Sequence, residues 1–352
     1  SGDGPFTRRC HTFLEGWFHV PRVLLTTSCT AALEMCALLL DVGPGDEVIL
    51  PSFTFVSTAN AFALRGAKVI FADIRPDTLN LDERQLPGLI NERTRAIVPV
   101  HYAGVACEMD EIMALASDHG VAVVEDNAHG LCGRYRGRLL GTIGSLATQS
   151  FHETKNFTCG EGGALVIRDG RYVERAEIIR EKGTNRSRFF RGEVDKYGWI
   201  DIGSSYLPSD LLAAALLAQL EEREAIQQSR RERWVGYRDA LAEWAVQSGV
   251  TLPYVPEYVE PAWHLFYVLL PSLESRQALI AHLKARGVHA VFHYQPLHLS
   301  PKGLELGGQA GLCPVTESIA DRLLRLPLYN GMTLHEQQRV VEAVVSFPGG
   351  EE

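Results

Sequence analysis

The sequence predicts an α/β protein in which a large, mostly parallel sheet domain is followed by a smaller α+β domain. The chain has 352 residues, well above the ~150 residues of a typical single domain. From Val23 to about residue 169, short apolar runs alternate with helical patterns, and apolar strands separated by helices are typical of a buried parallel sheet. This alternation ends at a Pro- and Tyr-rich connector, residues 253–261. We therefore expect two domains, residues 1–230 and 231–352.

The apolar runs define the individual elements. In the first domain we predict strands at 47–50, 68–73, 96–100, 121–126, 146–151 and 164–168, with helices at 30–41, 56–63 and 108–118. One long helix is predicted over 209–245, across the domain boundary. In the second domain we predict a strand at 266–270, a helix at 273–286, a strand at 289–293 and two later helices.

The composition indicates a globular protein without a nucleic-acid or membrane partner. Hydrophobic residues make up 46% and charged residues 22% of the chain, and the formal net charge is −9. An acidic chain has no basic field to attract nucleic acid, and no apolar run reaches the ~18 residues of a membrane span. The seven cysteines are an odd number without CxxC spacing, which argues against a disulfide framework or a zinc site. With no secretory leader visible, we expect a cytoplasmic protein that holds no metal.

The segment VVEDNAHG, residues 123–130, delivers two carboxyl groups to the end of a predicted strand. Ligands of open α/β sheets bind at that end. A buried Glu125 or Asp126 there needs a cationic partner, and a protonated ring nitrogen of a ligand is one such partner. The alternative is an acidic N-cap of the next turn.

The segment SFHETKN, residues 150–156, places Lys155 just past a predicted strand and before the glycine-rich CGEGGAL, residues 159–165. A lysine in this position can have a lowered pKa and act as an amine nucleophile. The alternatives are a surface lysine and a simple glycine turn.

The segment TTSCTAALE, residues 26–34, places hydroxyl side chains immediately before an apolar helical run. They either cap that helix or help its N-terminus to bind a phosphate. A phosphate site, a strand-end acid and a lysine, in this order, are the parts that a pyridoxal-phosphate enzyme needs.

Long segments of the chain resemble the DegT/DnrJ/EryC1/StrS family of nucleotide-sugar aminotransferases. They are PGDEVILPSFTFVSTANA (44–61), RAIVPVHYAG (95–104), VVEDNAHG and SFHETKN with GEGGAL. Within the family, SFHETKN, REKGTNRSRFFRGEVDKYGW (180–199) and DIGSSYLPSDL (201–211) are similar to dTDP-4-amino-4,6-dideoxygalactose transaminases. The resemblance covers nearly the whole chain and implies a fold-type I aminotransferase that uses pyridoxal 5′-phosphate, with pyridoxamine 5′-phosphate as its second form.

The resemblance implies a role for individual residues at the cofactor. Lys155 matches the Schiff-base lysine, and Asp126 matches the carboxylate that keeps the pyridine nitrogen protonated. His129 matches a position beside the ring hydroxyl, Phe55 an aromatic that stacks on the ring, and Ser150 a phosphate-binding serine.

The phosphate loop and the subunit contact are implied in the same way. Thr30, with the backbone around Cys29 and Ala31, matches the phosphate loop, although Cys29 stands where many members have Gly. Ser205 stands where other members have an Asn that reaches the neighbouring subunit's phosphate, which implies a homodimer with shared active sites.

Two further groups are candidates for substrate binding. The cationic segment EKGTNRS contributes Lys182, Arg186 and Ser187, because such side chains bind phosphates well. The segment VFHYQPLH contributes His293, Tyr294 and His298. For each of these residues a packing role is the alternative.

The activity that the resemblance implies is transamination from L-glutamate to C4 of dTDP-4-dehydro-6-deoxy-D-glucose, with a galacto or gluco product. A C3-ketosugar aminotransferase acting on a dTDP-3-dehydro-6-deoxyhexose is the main alternative. A sugar 3-dehydratase and a non-enzymatic sugar-nucleotide sensor are more distant alternatives, the first because such dehydratases replace the lysine with histidine. A nicotinamide-dependent epimerase is excluded, since no GxGxxG follows the first strand.

Overall fold

The computed structural model of the protein describes residues 3–348, which contain three β-sheets surrounded by helices. The strands are β1 (Arg22–Thr26), β2 (Glu47–Pro51), β3 (Lys68–Ala72), β4 (Thr94–Ile97), β5 (Ala122–Asp126), β6 (Arg134–Tyr135), β7 (Arg138–Leu139), β8 (Leu146–Ser150), β9 (Gly163–Ile167), β10 (Val259–Glu260), β11 (Phe266–Leu269) and β12 (Leu323–Leu326). The helices are α1 (Pro5–Phe18), α2 (Cys29–Leu39), α3 (Val56–Ala63), α4 (Leu86–Leu89), α5 (Met109–His119), α6 (Val173–Arg180), α7 (Arg186–Phe190), α8 (Asp210–Glu221), α9 (Arg223–Gln247), α10 (Leu273–Ala285), α11 (Pro301–Glu305), α12 (Pro314–Arg322) and α13 (Leu334–Val345).

The large sheet has seven strands in the order β1-β9-β8-β5-β4-β2-β3. Neighbouring strands from β8 through β5, β4 and β2 to β3 are parallel, whereas β9 runs antiparallel to β8 and β1. The predicted α/β fold with a mostly parallel sheet is therefore confirmed. The structure adds β1, a short apolar run that the sequence analysis does not assign to a strand.

Helices cover both faces of this sheet, which explains why its strands are apolar at nearly every position. On one face, α2, α3 and α6 pack on strand residues such as Leu50 and Val124. On the other face, α4 and α5 cover Ile97 and its neighbours, and α1 and α8 cover Val166 and its neighbours. With both faces closed, polar side chains collect where the parallel strands end.

The C-terminal part of the chain has its own apolar core, which α9, α10 and α13 form with the antiparallel pair β11–β12. The single helix predicted over 209–245 is wrong in one respect, because it is interrupted at Glu222 between α8 and α9. The two helices have different partners: α8 packs on α1, and α9 packs on α13. The predicted boundary at residue 230 falls inside α9 and stays a prediction.

The strand predicted at 289–293 does not form. Val291 makes one antiparallel bridge to Arg325 of β12, and the chain then turns so that His293 and Tyr294 stack with ring centroids 4.1 Å apart. Only Ala290 of this segment is buried, while Phe292 is 49% exposed, so the alternation does not correspond to one buried face of a strand. Separately, none of the helices in the described range 3–348 combines the length and apolar character needed to cross a membrane.

Candidate active site

A cavity of about 470 Å³ lies where the parallel strands β5 and β8 end. Its walls come from the start of α2, the β2–α3 connection, the segments after β5 and β8, and four residues of the C-terminal part, His264, His293, Tyr294 and Arg325. A larger depression of about 970 Å³ lies beside Trp17, but none of the predicted site residues line it. The smaller cavity is the candidate active site, because ligands of open α/β sheets bind at the carboxyl ends of the strands.

The N-terminus of α2 forms one wall of the cavity. Ser28 caps this helix by accepting a hydrogen bond from the amide of Ala31 at 3.0 Å. Gly163 of β9 permits the close approach, because a Cβ at this position would lie 2.3 Å from the backbone carbon of Ser28. The hydroxyls of Thr30 and Ser57 are hydrogen-bonded at 2.7 Å. A helix N-terminus with adjacent hydroxyls is suited to bind a phosphate.

Asp126 ends β5 and is 4% exposed. Its Oδ2 accepts a hydrogen bond from the Thr58 hydroxyl at 2.7 Å, and its Oδ1 accepts one from the amide of Ala128 at 3.2 Å. Burial raises the pKa of this carboxyl, while the Thr58 and Ala128 hydrogen bonds and the charges of Lys155 and His101 lower it by less. A buried carboxyl in this state favours a positively charged ligand group beside it.

Glu125, the other carboxyl of the motif, faces the opposite side of β5, and both of its oxygens have partners within the protein. Its Oε1 accepts from the amides of Ile143 and Gly144, each at 2.7 Å, and its Oε2 accepts from the Gly141 amide at 2.8 Å. His101 Nε2 lies 2.9 Å from the same Oε2. Burial would raise the pKa of Glu125, but these partners outweigh it and the pKa is lowered. Glu125 is a structural carboxylate.

Lys155 lies in the turn after β8, where its amide donates to the carbonyl of His152 at 2.9 Å. Its side chain lines the cavity. Burial lowers the pKa of the Lys155 ammonium, with Cys29 and Asp126 opposing this shift and Arg325 adding to it. A lowered pKa increases the fraction of neutral amine, which is the nucleophilic and basic form.

Three histidines and a tyrosine form a further wall. His129 stacks on His264 with ring centroids 4.2 Å apart, and its Nε2 lies 3.5 Å from the Tyr294 hydroxyl. Its Nδ1 is buried and has no hydrogen-bond partner in the described part of the chain. Burial lowers the pKa of His129 and His264 well below 6.5, and it lowers the pKa of His293 to about 2. These rings are therefore neutral at pH 7, and His129 has a free nitrogen for a ligand hydroxyl.

The structure brings most of the predicted cofactor residues together around this cavity. Those that line it are Lys155, Asp126, His129, Phe55, Ser150, Cys29 and Thr30. Phe55 is 58% exposed, so its ring is available to stack on a ligand. Ala31 is not part of the lining, and its amide is already bonded to the Ser28 hydroxyl. Of the predicted substrate residues, His293 and Tyr294 line the cavity.

The remaining predicted residues lie elsewhere in the single chain. His298 is fully buried, with its Nδ1 2.6 Å from Ser52 Oγ and its Nε2 2.9 Å from Glu317 Oε1. Both ring nitrogens are thus occupied by the protein. A separate surface cavity of about 480 Å³ contains Lys182, Arg186 and Ser205, and Ser187 lies with Arg186 in an adjacent depression.

The lining or supporting residues that were not predicted from the sequence include Thr58, Gly163, His264 and Arg325. Thr58 could have been found, because it follows Phe55 by one helical turn and so shares a face with it. Gly163 lies in the quoted glycine-rich segment, but only the packing of α2 shows why it must be glycine. His264 and Arg325 reach the cavity from distant parts of the chain and belong to no local motif.

These residues fit pyridoxal 5′-phosphate, the cofactor that the sequence resemblance implies. The start of α2 offers a cradle for the phosphate, Asp126 lacks a bonded cation and suits a protonated ring nitrogen, and Lys155 offers the amine for the aldehyde carbon. No group of three or more His, Cys, Asp or Glu side chains within residues 3–348 is arranged to hold a metal ion.

Comparisons with known proteins identify the family of the chain. The model of the DegT/DnrJ/EryC1/StrS aminotransferase family matches residues 2–345. Uncharacterized protein MJ1066 of Methanocaldococcus jannaschii is 34% identical over 349 residues, which cover 97% of this chain and 89% of that protein.

Solved structures of aminotransferases are similar to this chain over nearly its whole length. The aminotransferase TlmJ from Streptoalloteichus hindustanus superposes with a TM-score of 0.90 at 30% identity, over 98% of this chain and 91% of TlmJ. Spr1654 from Streptococcus pneumoniae, which carries the name of a sugar aminotransferase, is similar in both its PLP-form and its PMP-form. For the PLP-form the TM-score is 0.90 at 26% identity, over 98% of this chain and 91% of Spr1654; for the PMP-form the TM-score is 0.91.

Proposed function

The chain belongs to the DegT/DnrJ/EryC1/StrS aminotransferase family, and we propose that it transfers the amino group of L-glutamate to C4 of dTDP-4-dehydro-6-deoxy-D-glucose. The cofactor is pyridoxal 5′-phosphate, and the product is a dTDP-4-amino-4,6-dideoxyhexose. The observation that carries the proposal is one cavity in which a buried carboxyl, a lysine with a lowered pKa and a helix N-terminus converge.

The roles of the residues follow from their environments. When bound, pyridoxal phosphate supplies an aldehyde carbon for the amine and a ring that withdraws electrons. Asp126 holds a proton on the ring nitrogen, because a protonated neighbour relieves its buried charge. Lys155 Nζ, as a neutral amine, accepts the proton from the α-carbon of glutamate. In the second half of the transfer the same amine, now protonated, delivers a proton to C4 of the sugar.

We assign the phosphate to the α2 N-terminus with Ser150 and Thr30, and the ring stack to Phe55. His129 faces the ring hydroxyl with its unpaired nitrogen. As with Asp126 and Lys155, each of these residues is assigned to one part of the cofactor.

The sugar nucleotide is assigned to the cationic pair Lys182 and Arg186, which suits a diphosphate. These side chains lie beside Ser205 in a cavity separate from that of Lys155, so we propose that the partner subunit's Ser205 completes each active site. The chain around them exposes large apolar side chains, among them Trp199 at 81% and Leu211 at 83%. Such a surface suits an interface, and sedimentation equilibrium should give twice the chain mass of 38.9 kDa.

The test of the function is proton NMR of the product formed from the protein, pyridoxal phosphate, glutamate and dTDP-4-dehydro-6-deoxy-D-glucose. A new amino sugar with a small H3–H4 coupling identifies an axial amine and the galacto product, which the likeness of segments 180–199 and 201–211 favours. A large coupling identifies the gluco product. The Lys155→Ala variant serves as the control and is expected to form neither.

Failure to aminate this ketone, in wild-type protein that binds the cofactor, would reject the C4 assignment. The dTDP-3-dehydro-6-deoxyhexose would then be tested in the same assay, since only the position of the carbonyl differs.

A further inference from the structure

Arg325 of β12 is a cation in the wall of the active-site cavity that the roles above leave unused. Its backbone is held on two sides, by pairing with Tyr267 of β11 and with Val291. The amide of Arg325 donates to the carbonyl of Val291 at 2.8 Å. The side chain is thus presented to the cavity from a fixed point.

The side chain of Arg325 is half-buried, and its guanidinium is not fully paired. Within residues 3–348 its Nε is buried and has no hydrogen-bond partner. Burial lowers its pKa, and the groups that oppose this are the hydroxyls of Tyr102 and Tyr294, with no carboxylate among them. The nearby imidazoles His129 and His293 are neutral and offer it no negative charge.

Arg230 shows what a structural arginine looks like in the same part of the chain. Its Nε donates to the carbonyl of Trp263 at 3.0 Å and its Nη1 to Asn330 Oδ1 at 2.9 Å. Its Nη2 donates to the carbonyl of His264. All three nitrogens of Arg230 are bonded to the protein, whereas Arg325, which lines the cavity, has a guanidinium nitrogen without a partner among the described residues. A buried donor without a partner costs free energy that a ligand acceptor recovers.

We propose that Arg325 binds a carboxylate of the amino donor. The inference rests on the proposed function, which brings a dicarboxylic amino acid into this cavity. The cofactor phosphate is assigned to α2 and the ring nitrogen to Asp126, so the carboxylates of glutamate need another cation. Lys155 is engaged in proton transfer and must be neutral for it. The planar fork of a guanidinium matches a carboxylate with two parallel hydrogen bonds.

The first test uses glutarate, which has both carboxylates of the donor but no amine. Its dissociation constant is measured by calorimetry on cofactor-loaded protein, for wild type, Arg325→Gln and Arg325→Lys. We expect Arg325→Gln to weaken glutarate binding roughly 10- to 100-fold, as for the loss of charged hydrogen bonds. Arg325→Lys should restore part of the affinity. The matched control is Arg322→Gln, three residues earlier on the surface end of α12, which should bind like wild type.

The second test separates the two halves of the reaction by single-turnover absorbance. Arg325→Gln should raise the concentration of glutamate needed for the half-maximal rate. The concentration of keto sugar needed for the half-maximal rate of the second half-reaction should stay unchanged. L-Alanine as donor locates the contact. If alanine is slowed as much as glutamate, Arg325 binds the α-carboxylate; if alanine is unaffected, it binds the side-chain carboxylate.

Unchanged glutarate binding in Arg325→Gln overturns the proposal, as does weakened binding of the keto sugar alone. If Arg325→Gln does not fold, Arg325→Met replaces it in both tests, because methionine keeps an unbranched side chain but carries no charge. Unchanged glutarate binding in Arg325→Met then overturns the proposal. Should the wild type react with no keto sugar at all, the proposed function fails, but the glutarate and glutamate measurements still decide the role of Arg325.

Discussion

The two faces of β5 carry carboxyl groups one residue apart, and their surroundings differ sharply. On one face, three backbone amides and His101 surround Glu125 and lower its pKa. On the other face, Asp126 has one hydroxyl and one amide, and burial raises its pKa. Both groups are almost completely buried.

This difference is the reason why we assign the functional role to Asp126 and not to Glu125. Burial and position at a strand end are shared by both residues, so neither property distinguishes them. What distinguishes Asp126 is that its bonded partners, a hydroxyl and an amide, are both neutral, so that a ligand has to provide the cation. A related difference separates Arg230, whose three nitrogens are all bonded, from Arg325, whose Nε has no partner among the described residues.

The largest expected effect on this comparison comes from Asp126→Asn. We expect kcat/KM for transamination to fall about 10³-fold, because a preorganised charge beside the reacting ring is lost and such losses cost about 4 kcal/mol. Stability of the cofactor-free protein should be equal or higher, since an incompletely paired buried charge is removed. Steady-state kinetics and thermal unfolding measure the two quantities. Wild-type activity would contradict the assigned role.

Glu125→Gln should give the reverse pattern with a smaller effect. The free energy of unfolding should fall by about 3 kcal/mol, because the buried partners of the carboxylate lose their charge-assisted hydrogen bonds. Activity per folded molecule should remain near the wild-type value, since Glu125 does not line the cavity. Urea unfolding and active-site titration measure these quantities, with Asp126→Asn as the matched variant. A loss of activity without a loss of stability would show that the two faces are not separate.

The part of the site that could be predicted is the part whose residues lie in local sequence motifs. Lys155 and Asp126 each follow an apolar strand of the parallel sheet, so local pattern and a known topology suffice to place them at one edge. The helix N-terminus at Ser28 is equally local. The sequence pattern does not separate Glu125 from Asp126, because the amides that bind Glu125 come from the loop 141–144, whose path depends on packing.

The C-terminal side of the cavity could not be predicted from local pattern. Arg325 lies in an apolar strand where a charged residue suggests a surface position, and its pairing with Val291 arises from tertiary contacts. The segment 289–293 has the alternation of a strand, but it makes only the bridge between Val291 and Arg325. His293 is held instead by stacking on Tyr294 and by the Tyr102 hydroxyl, 3.2 Å from its Nδ1. The break at Glu222 also arises from tertiary packing, since α8 packs on α1 and α9 packs on α13.

The smallest expected effect is the pH dependence of stability, and the two carboxyls should show it with opposite signs. The pKa of Glu125 in the folded protein lies below its ordinary value of 4.5, so its stabilising contribution is complete above pH 4.5 and is lost as the pH falls through the folded value. The pKa of Asp126 in the folded protein lies above its ordinary value of 3.8. The folded state therefore takes up this proton first, and the protein gains stability as the pH falls through that value towards 3.8.

Urea unfolding of the cofactor-free protein between about pH 3 and 6 separates these contributions by difference. The stability advantage of wild type over Glu125→Gln should shrink as the pH falls, and any disadvantage of wild type against Asp126→Asn should shrink as well. Parallel pH profiles for wild type and Asp126→Asn would show that burial does not control this carboxyl. In the cofactor-loaded protein the Asp126 difference should change sign, because a cation beside the carboxyl lowers its pKa, while the Glu125 difference should persist because its partners all belong to the protein.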